Sequence, residues 1–235
     1  LGLIEGPLRS LLPTIAVLLP GALIVTGVAE LAAGAMMAGA SRLGFGTALL
    51  AMFTAGVLGA AWLTKVPVDQ LNNQIIPWRG LWVPFLGVLL LTAGMSLMES
   101  IPRYLVPWVA LMLATTLTFQ IIGQTVAGAT WGGGLLGATV ASFGSSVIEM
   151  HRPRLPRLVL FVPSFWLLVP GSLGLVSLTQ LGAGTPVAGA TALESTGIIG
   201  SIALGLLIGT TAARAVGLLR RSRTRRPGAR RRQTF

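Results

Sequence analysis

The chain has no cysteine, one histidine and one tyrosine, and only six of its 235 residues are acidic. Without cysteine there is no disulfide and no thiol chemistry, and a lone His151 beside that absence excludes most zinc and iron ligand patterns. Hydrolysis inside a membrane would need a serine–histidine pair, paired aspartates or a metal set, and the apolar segments offer none of these. An enzyme is therefore not expected, and neither a metal nor another cofactor is called for. Charge itself is scarce, at 10% of residues, where soluble domains carry about a quarter. What is abundant is apolar, at 53% of the chain with a mean hydropathy of +0.82. These values describe an all-α integral membrane protein that crosses the bilayer several times. The chain opens on Leu1 with no basic segment ahead of the first apolar run, which argues against a signal peptide and for sequence preceding Leu1.

The few charges act as fence posts. Uncharged runs cover 10–29, 43–64, 80–98, 104–148, 158–193 and 195–213. Four of them are 19 to 22 residues long, enough for one membrane helix each at ~1.5 Å per residue. The run 104–148 is too long for one helix, and its polar "QIIGQT" at 120–125 reads as the external turn that divides it. The run 158–193 holds one span and a weaker piece rich in small residues. Seven spans are expected, near 10–29, 43–64, 80–98, 104–120, 125–148, 158–179 and 195–214.

Basic residues set the orientation. The tail at 220–235 carries 8 of the 17 Lys and Arg, and placing it in the cytoplasm puts 14 of them inside and 3 outside. The outer three are Arg9, Lys65 and Arg79, and Trp62, Trp78, Trp82 and Trp131 then mark the outer interface. The arginine cluster of the tail could bind nucleic acid or anionic lipid, but it reads as a solvated, disordered topology signal; membrane lipid is an expected partner of the membrane-embedded chain and nucleic acid is not. Glu149 and His151 read as interfacial. Gly128, Gly132, Gly133, Gly134 and Gly137, with Ala141, read as close helix packing, because no basic residue follows them as in a phosphate loop.

Two spans carry the same lesion. "VLLPGAL" at 17–23 and "LLVPGSL" at 167–173 each place Pro-Gly inside an apolar run, where proline removes a backbone donor. A shift of 150 aligns them without a gap. Pro13 meets Pro163, Pro20 meets Pro170, Gly21 meets Gly171, Gly34 meets Gly184 and Gly39 meets Gly189, among 13 identities over 13–61. Five spans separate the equivalent elements, so the two copies face opposite ways. Arg42, in the linker expected inside, gives way to Ala192 in the linker expected outside. The chain divides into residues 1–64 as the last two spans of a first repeat, 65–219 as a complete five-span second repeat, and 220–235 as the basic tail. Three spans preceding Leu1 would complete a 5+5 inverted-repeat transporter.

A family pattern then becomes visible. "LLPGALIVTGVAELAAGAMMAGASRL" at 18–43 and "RLVLFVPSFWLLVPGSLGL" at 157–175 resemble the two Pro-Gly stretches of the threonine/serine exporter family. The resemblance implies a ten-span exporter of small hydroxy amino acids in the bacterial cell membrane, of which this chain has the last seven spans and no hydrophilic N-terminal region. It also implies a second possibility: in a split branch, associated with dicarboxylate export, two polypeptides supply the halves, so a half-transporter or channel subunit with a partner chain stays open.

The breaks supply chemistry of their own. Each frees a backbone carbonyl and starts a half-helix whose N-terminus favours negative charge, and a zwitterionic amino acid suits that pair of ends. A simple proline kink is the alternative, and repetition in register favours the functional reading. Candidate substrate-binding residues are Pro20, Gly21, Thr26, Glu30, Pro170, Gly171 and Gln180. Thr179 follows the second break as well. Glu30 is either a proton-coupling carboxylate or a solvated one near the cytoplasmic end.

Overall fold

A computed structural model describes residues 18, 20–65, 80, 82–168, 171–182 and 188–224. The described residues form eight helices and no strand. In chain order they are α1 (Gly21–Ala32), α2 (Met36–Thr64), α3 (Trp82–Met98), α4 (Val106–Ala127), α5 (Thr130–His151), α6 (Arg157–Leu168), α7 (Gly171–Gly182) and α8 (Ala188–Thr224).

Three stretches, Met36–Thr64, Val106–Ala127 and Ala192–Arg220, are long and apolar enough to cross a membrane, so this is a membrane-type helical protein. The seven expected spans divide differently. Within the described residues, α3 has 17 residues, and α1, α6 and α7 have 12 each. At 22 residues α5 has the length, but its glycines and serines dilute its hydropathy.

Local chemistry fixes the ends of these helices. Pro20, which has no N–H to lose, precedes α1, and its carbonyl accepts the amide of Ile24 at 3.1 Å. Helix α1 stops at a turn in which Gly34 takes φ +86°, a conformation glycine adopts without strain. Only residues 33–35 separate α1 from α2. Arg42 therefore sits in the second turn of α2 rather than in a linker, a correction to the sequence reading, which started that span at residue 43. A second correction concerns 120–125. Gln120, Gln124 and Thr125 lie inside α4, and the turn comes later, at Gly128 with φ +62°. The segment stays helical because Gly123 meets the backbone of Gly132 and Gly133, where a side chain would collide. At the far end of the chain, α8 runs on through Thr224, so the first residues of the basic tail are helical, and 225–235 lie outside the described residues.

Helices α5 and α8 run parallel and touch along their length. Thr130 donates to Glu194 at 2.6 Å near their starts, and Arg220 donates to the Met150 carbonyl at 2.7 Å near their ends. Between these points a Cβ added to Gly205 would lie 2.5 Å from the Leu135 carbonyl, and one added to Gly209 2.5 Å from that of Thr139. Small residues at spacing i, i+4 let two membrane helices approach this closely. Gly132, Gly133, Gly134, Gly137 and Ala141 are buried packing positions, whereas exposed Gly128 serves as the helix cap.

Since α5 and α8 are parallel, α6 and α7 together return the chain from one end of the molecule to the other. One end gathers Arg103, Arg152, Arg154 and Arg157 with the close of α8, and there the Arg152 guanidinium lies 5.0 Å from the Trp108 ring centroid. The opposite end holds the α4–α5 turn and the last turns of α2 and α7, where a Cβ on Gly182 would stand 2.5 Å from Leu58.

Candidate functional site

Helix α1 is the element around which the candidate residues can be placed. Pro20 and Gly21 are buried, and no side chain caps the helix they open. Val25, one turn on, is fully buried among Ala138, Ala141, Phe165, Ile198 and Ile202, which come from α5, α6 and α8. On its other side α1 lies against α2, where a Cβ on Gly39 would stand 2.7 Å from the Gly27 carbonyl. So the half-helix following the first break is held on both flanks, with its uncapped amides inside the bundle.

Helix α7 is the counterpart of α1 at an offset of 150, which places Gly171 on Gly21. Leu175, at the position equivalent to Val25, is also fully buried, in a cluster with Ile24, Leu50 and Val176. The packing partners are exchanged as well: α1 packs on α2 and α8, and α7 on α8 and α2. Pro170 lies outside the described residues, as do Pro13 and Gly184.

The polar candidates do not form a single cluster. The Thr26 hydroxyl donates to the carbonyls of Ala22 at 2.7 Å and Leu23 at 3.2 Å, which commits it to its own helix. Glu30 is nine residues past Gly21, ~14 Å along the axis at ~1.5 Å per residue. Its Oε1 pairs with Arg42 Nη1 at 3.0 Å, and its Oε2 is buried with no hydrogen-bond partner. Gln180 is buried on α7, two residues before the Gly182–Leu58 contact. Arg42 and Leu58 are separated by 16 residues of α2, ~24 Å of helix. Glu30 and Gln180 are therefore equivalent in sequence and belong to opposite ends of the molecule.

The buried polar side chains among the described residues are hydroxyls and the Gln180 amide, with no buried Asp, Glu, Lys or Arg. Several return to their own helix, as Thr179 does to Leu175 at 2.8 Å and Ser164 to Leu160 at 2.9 Å. Others cross between helices. Ser177 and Ser195 meet at 2.6 Å, joining α7 to α8, and Ser142 reaches the Leu206 carbonyl at 3.3 Å. Thr116 on α4 is fully buried and its hydroxyl has no partner.

Sequence reasoning missed Arg42 as the partner of Glu30 because it began α2 too late. It also missed Ser177, although a signal existed. The 150 offset places Ser177 on Gly27, the position at which α1 touches α2, so a small residue at a helix contact is repeated there.

At the opposite chemistry from this uncharged interior, Glu149 and His151 end α5. Glu149 Oε1 accepts the Arg157 amide at 3.1 Å, and His151 Nδ1 lies 2.9 Å from the Val147 carbonyl. Both are exposed. Compared with protein-family models, with curated proteins and with solved structures, the chain matches none.

Proposed function

We propose that the chain is a carrier, not an enzyme, that exports small hydroxy amino acids, threonine and serine, across the bacterial cell membrane, driven by the proton gradient. Its basic end and C-terminus face the cytoplasm. The observation that carries the reading is the pair of helices α1 and α7, which stand at equivalent positions under the 150 offset, exchange packing partners and run to opposite ends of α2. Inverted repeats with interrupted helices have this arrangement, and they hold substrate between the interruptions. On this reading the chain makes seven passages, with α6 and α7 forming one broken span and α1 the second half of another.

The interior chemistry supports a zwitterionic substrate over a dicarboxylate. A dianion at depth calls for a buried cation, and the described interior supplies hydroxyls and one amide instead. A buried, uncapped helix start at Gly21 suits the substrate carboxylate, and a carbonyl freed beside the break suits its ammonium. Thr26 and Gln180 flank the pathway. Glu30, half-exposed and paired with Arg42, carries the coupled proton near the cytoplasmic mouth.

A half-transporter or channel subunit for dicarboxylates is the second reading, favoured by one observation: the apolar length of α2 is only 17% buried, which leaves its outer face open to a partner chain. Counterflow separates the two. Vesicles holding the protein and loaded with unlabelled threonine should draw in external labelled threonine to a transient excess, as carriers do. Equilibration without overshoot would indicate a channel.

A further inference from the structure

Where α5, α6 and α8 converge at the basic end, a cavity of ≈ 590 Å³ opens between them. Its size falls within the range of about 300–1,000 Å³ typical of small-ligand sites. Arg157, Arg214 and Arg220 line it together with a single acid, Glu149. Glu149 Oε1 takes the backbone amide of Arg157 and makes no ion pair with Arg157 or Arg214, so its single charge offsets only part of the positive lining. Arg157 Nε is buried without a hydrogen-bond partner, while its guanidinium is steadied 5.7 Å from the Phe161 ring centroid. Arg220 is anchored to the Met150 carbonyl, which fixes the wall opposite. Three arginines against one carboxylate give the cavity a net positive lining, which suits an anion that can accept several hydrogen bonds. Phosphate does so best, because the arginine fork matches its oxygens.

The source of the phosphate follows from the helix face beside the cavity. At 100° per residue, Leu204, Ile208, Thr211, Ala215 and Leu218 of α8 lie in one stripe about 80° wide. These residues are exposed, Leu204 at 55%, Ile208 at 50% and Leu218 at 67%. Leu218 belongs both to this stripe and to the cavity wall, with Arg214 next to it around the helix. We propose that the cavity holds the phosphate-bearing head group of an anionic phospholipid, with an acyl chain laid along the α8 stripe. Basic pockets between membrane helices commonly hold such head groups. The site stands apart from the Pro-Gly breaks and does not rest on the transport reading.

The test uses the purified full chain in neutral detergent. Dioleoylphosphatidylglycerol and dioleoylphosphatidylcholine are added in parallel, and retained lipid is counted by native mass spectrometry alongside thermal unfolding. One phosphatidylglycerol per chain should be retained, at least tenfold in preference to phosphatidylcholine. Arg157→Gln combined with Arg214→Gln should reduce that preference about tenfold while melting in phosphatidylcholine is unchanged. Glu149→Gln keeps the oxygen that accepts the Arg157 amide and removes the opposing charge, so it should raise phosphatidylglycerol retention several-fold. Because this variant predicts a gain, it decides the matter even if the double variant fails to fold. Equal retention of the two lipids, or no response to Glu149→Gln, would overturn the proposal. So would inorganic phosphate alone protecting as well as the lipid, which would make this a site for a free anion.

Discussion

Glu30 at the end of α1 and Arg42 in the second turn of α2 close a three-residue turn with an ion pair of 3.0 Å. The pair is half open, with 29% of the Glu30 side chain and 50% of the Arg42 side chain accessible. Exposed pairs of this kind contribute about 0.2–1 kcal/mol, so its role is to set position and charge more than to hold the fold. Arg42→Ala should therefore lower stability by no more than ~1 kcal/mol. Adding Glu30→Gln to it should cost little further, and a double-mutant cycle on thermal unfolding checks this.

The same carboxylate separates coupling from binding. Glu30→Gln, which copies the amide found at Gln180, should weaken proton-driven efflux and spare substrate exchange. Efflux measured across a series of imposed pH gradients is the readout. Unaltered pH dependence in the variant would take Glu30 out of the mechanism.

Orientation is open to labelling because the chain has no cysteine of its own. Single cysteines at Arg154, on the basic end, and at Thr64, at the close of α2, should react with an impermeant maleimide from the cytoplasmic and outer faces respectively. Both reacting from one face would break the proposed topology.

Helix packing gives a graded prediction. Gly209→Val puts side-chain atoms where a Cβ alone stands 2.5 Å from the Thr139 carbonyl, and Gly39→Val does the same against Gly27 and Leu31. Overpacking of this kind costs about 1–3 kcal/mol, and backbone atoms on the other side have little room to yield. Gly197→Val faces open space and should leave the melting temperature nearly unchanged.

Much of this architecture was legible because proline, glycine and charge act locally. Pro20 marks the start of α1 through its missing donor. The offset of 150, found from Pro-Gly and glycine matches, pairs α1 with α7, and both pack against α2 and α8. Boundaries resting on polarity alone fared worse. Gln120 and Gln124 looked like a turn, yet a polar amide does not end a helix when Gly123 beside it is needed for contact with α5. The Glu30–Arg42 pair was hidden for a related reason: charge was taken to end a span, whereas α2 begins six residues before Arg42. The cavity at the basic end was not readable at all, since it depends on α5 and α8 running parallel, which no local pattern encodes.

The most direct test of the central claim is efflux from vesicles preloaded with labelled threonine, with the full chain reconstituted and an inward proton gradient imposed. The account predicts gradient-dependent threonine loss that excess unlabelled serine competes for. It also predicts that Gly21→Val and Gly171→Val each abolish this loss at normal protein levels, because the proposed substrate path runs past these two positions. Threonine efflux equal to that of protein-free vesicles, or efflux that survives both valine substitutions, would contradict it.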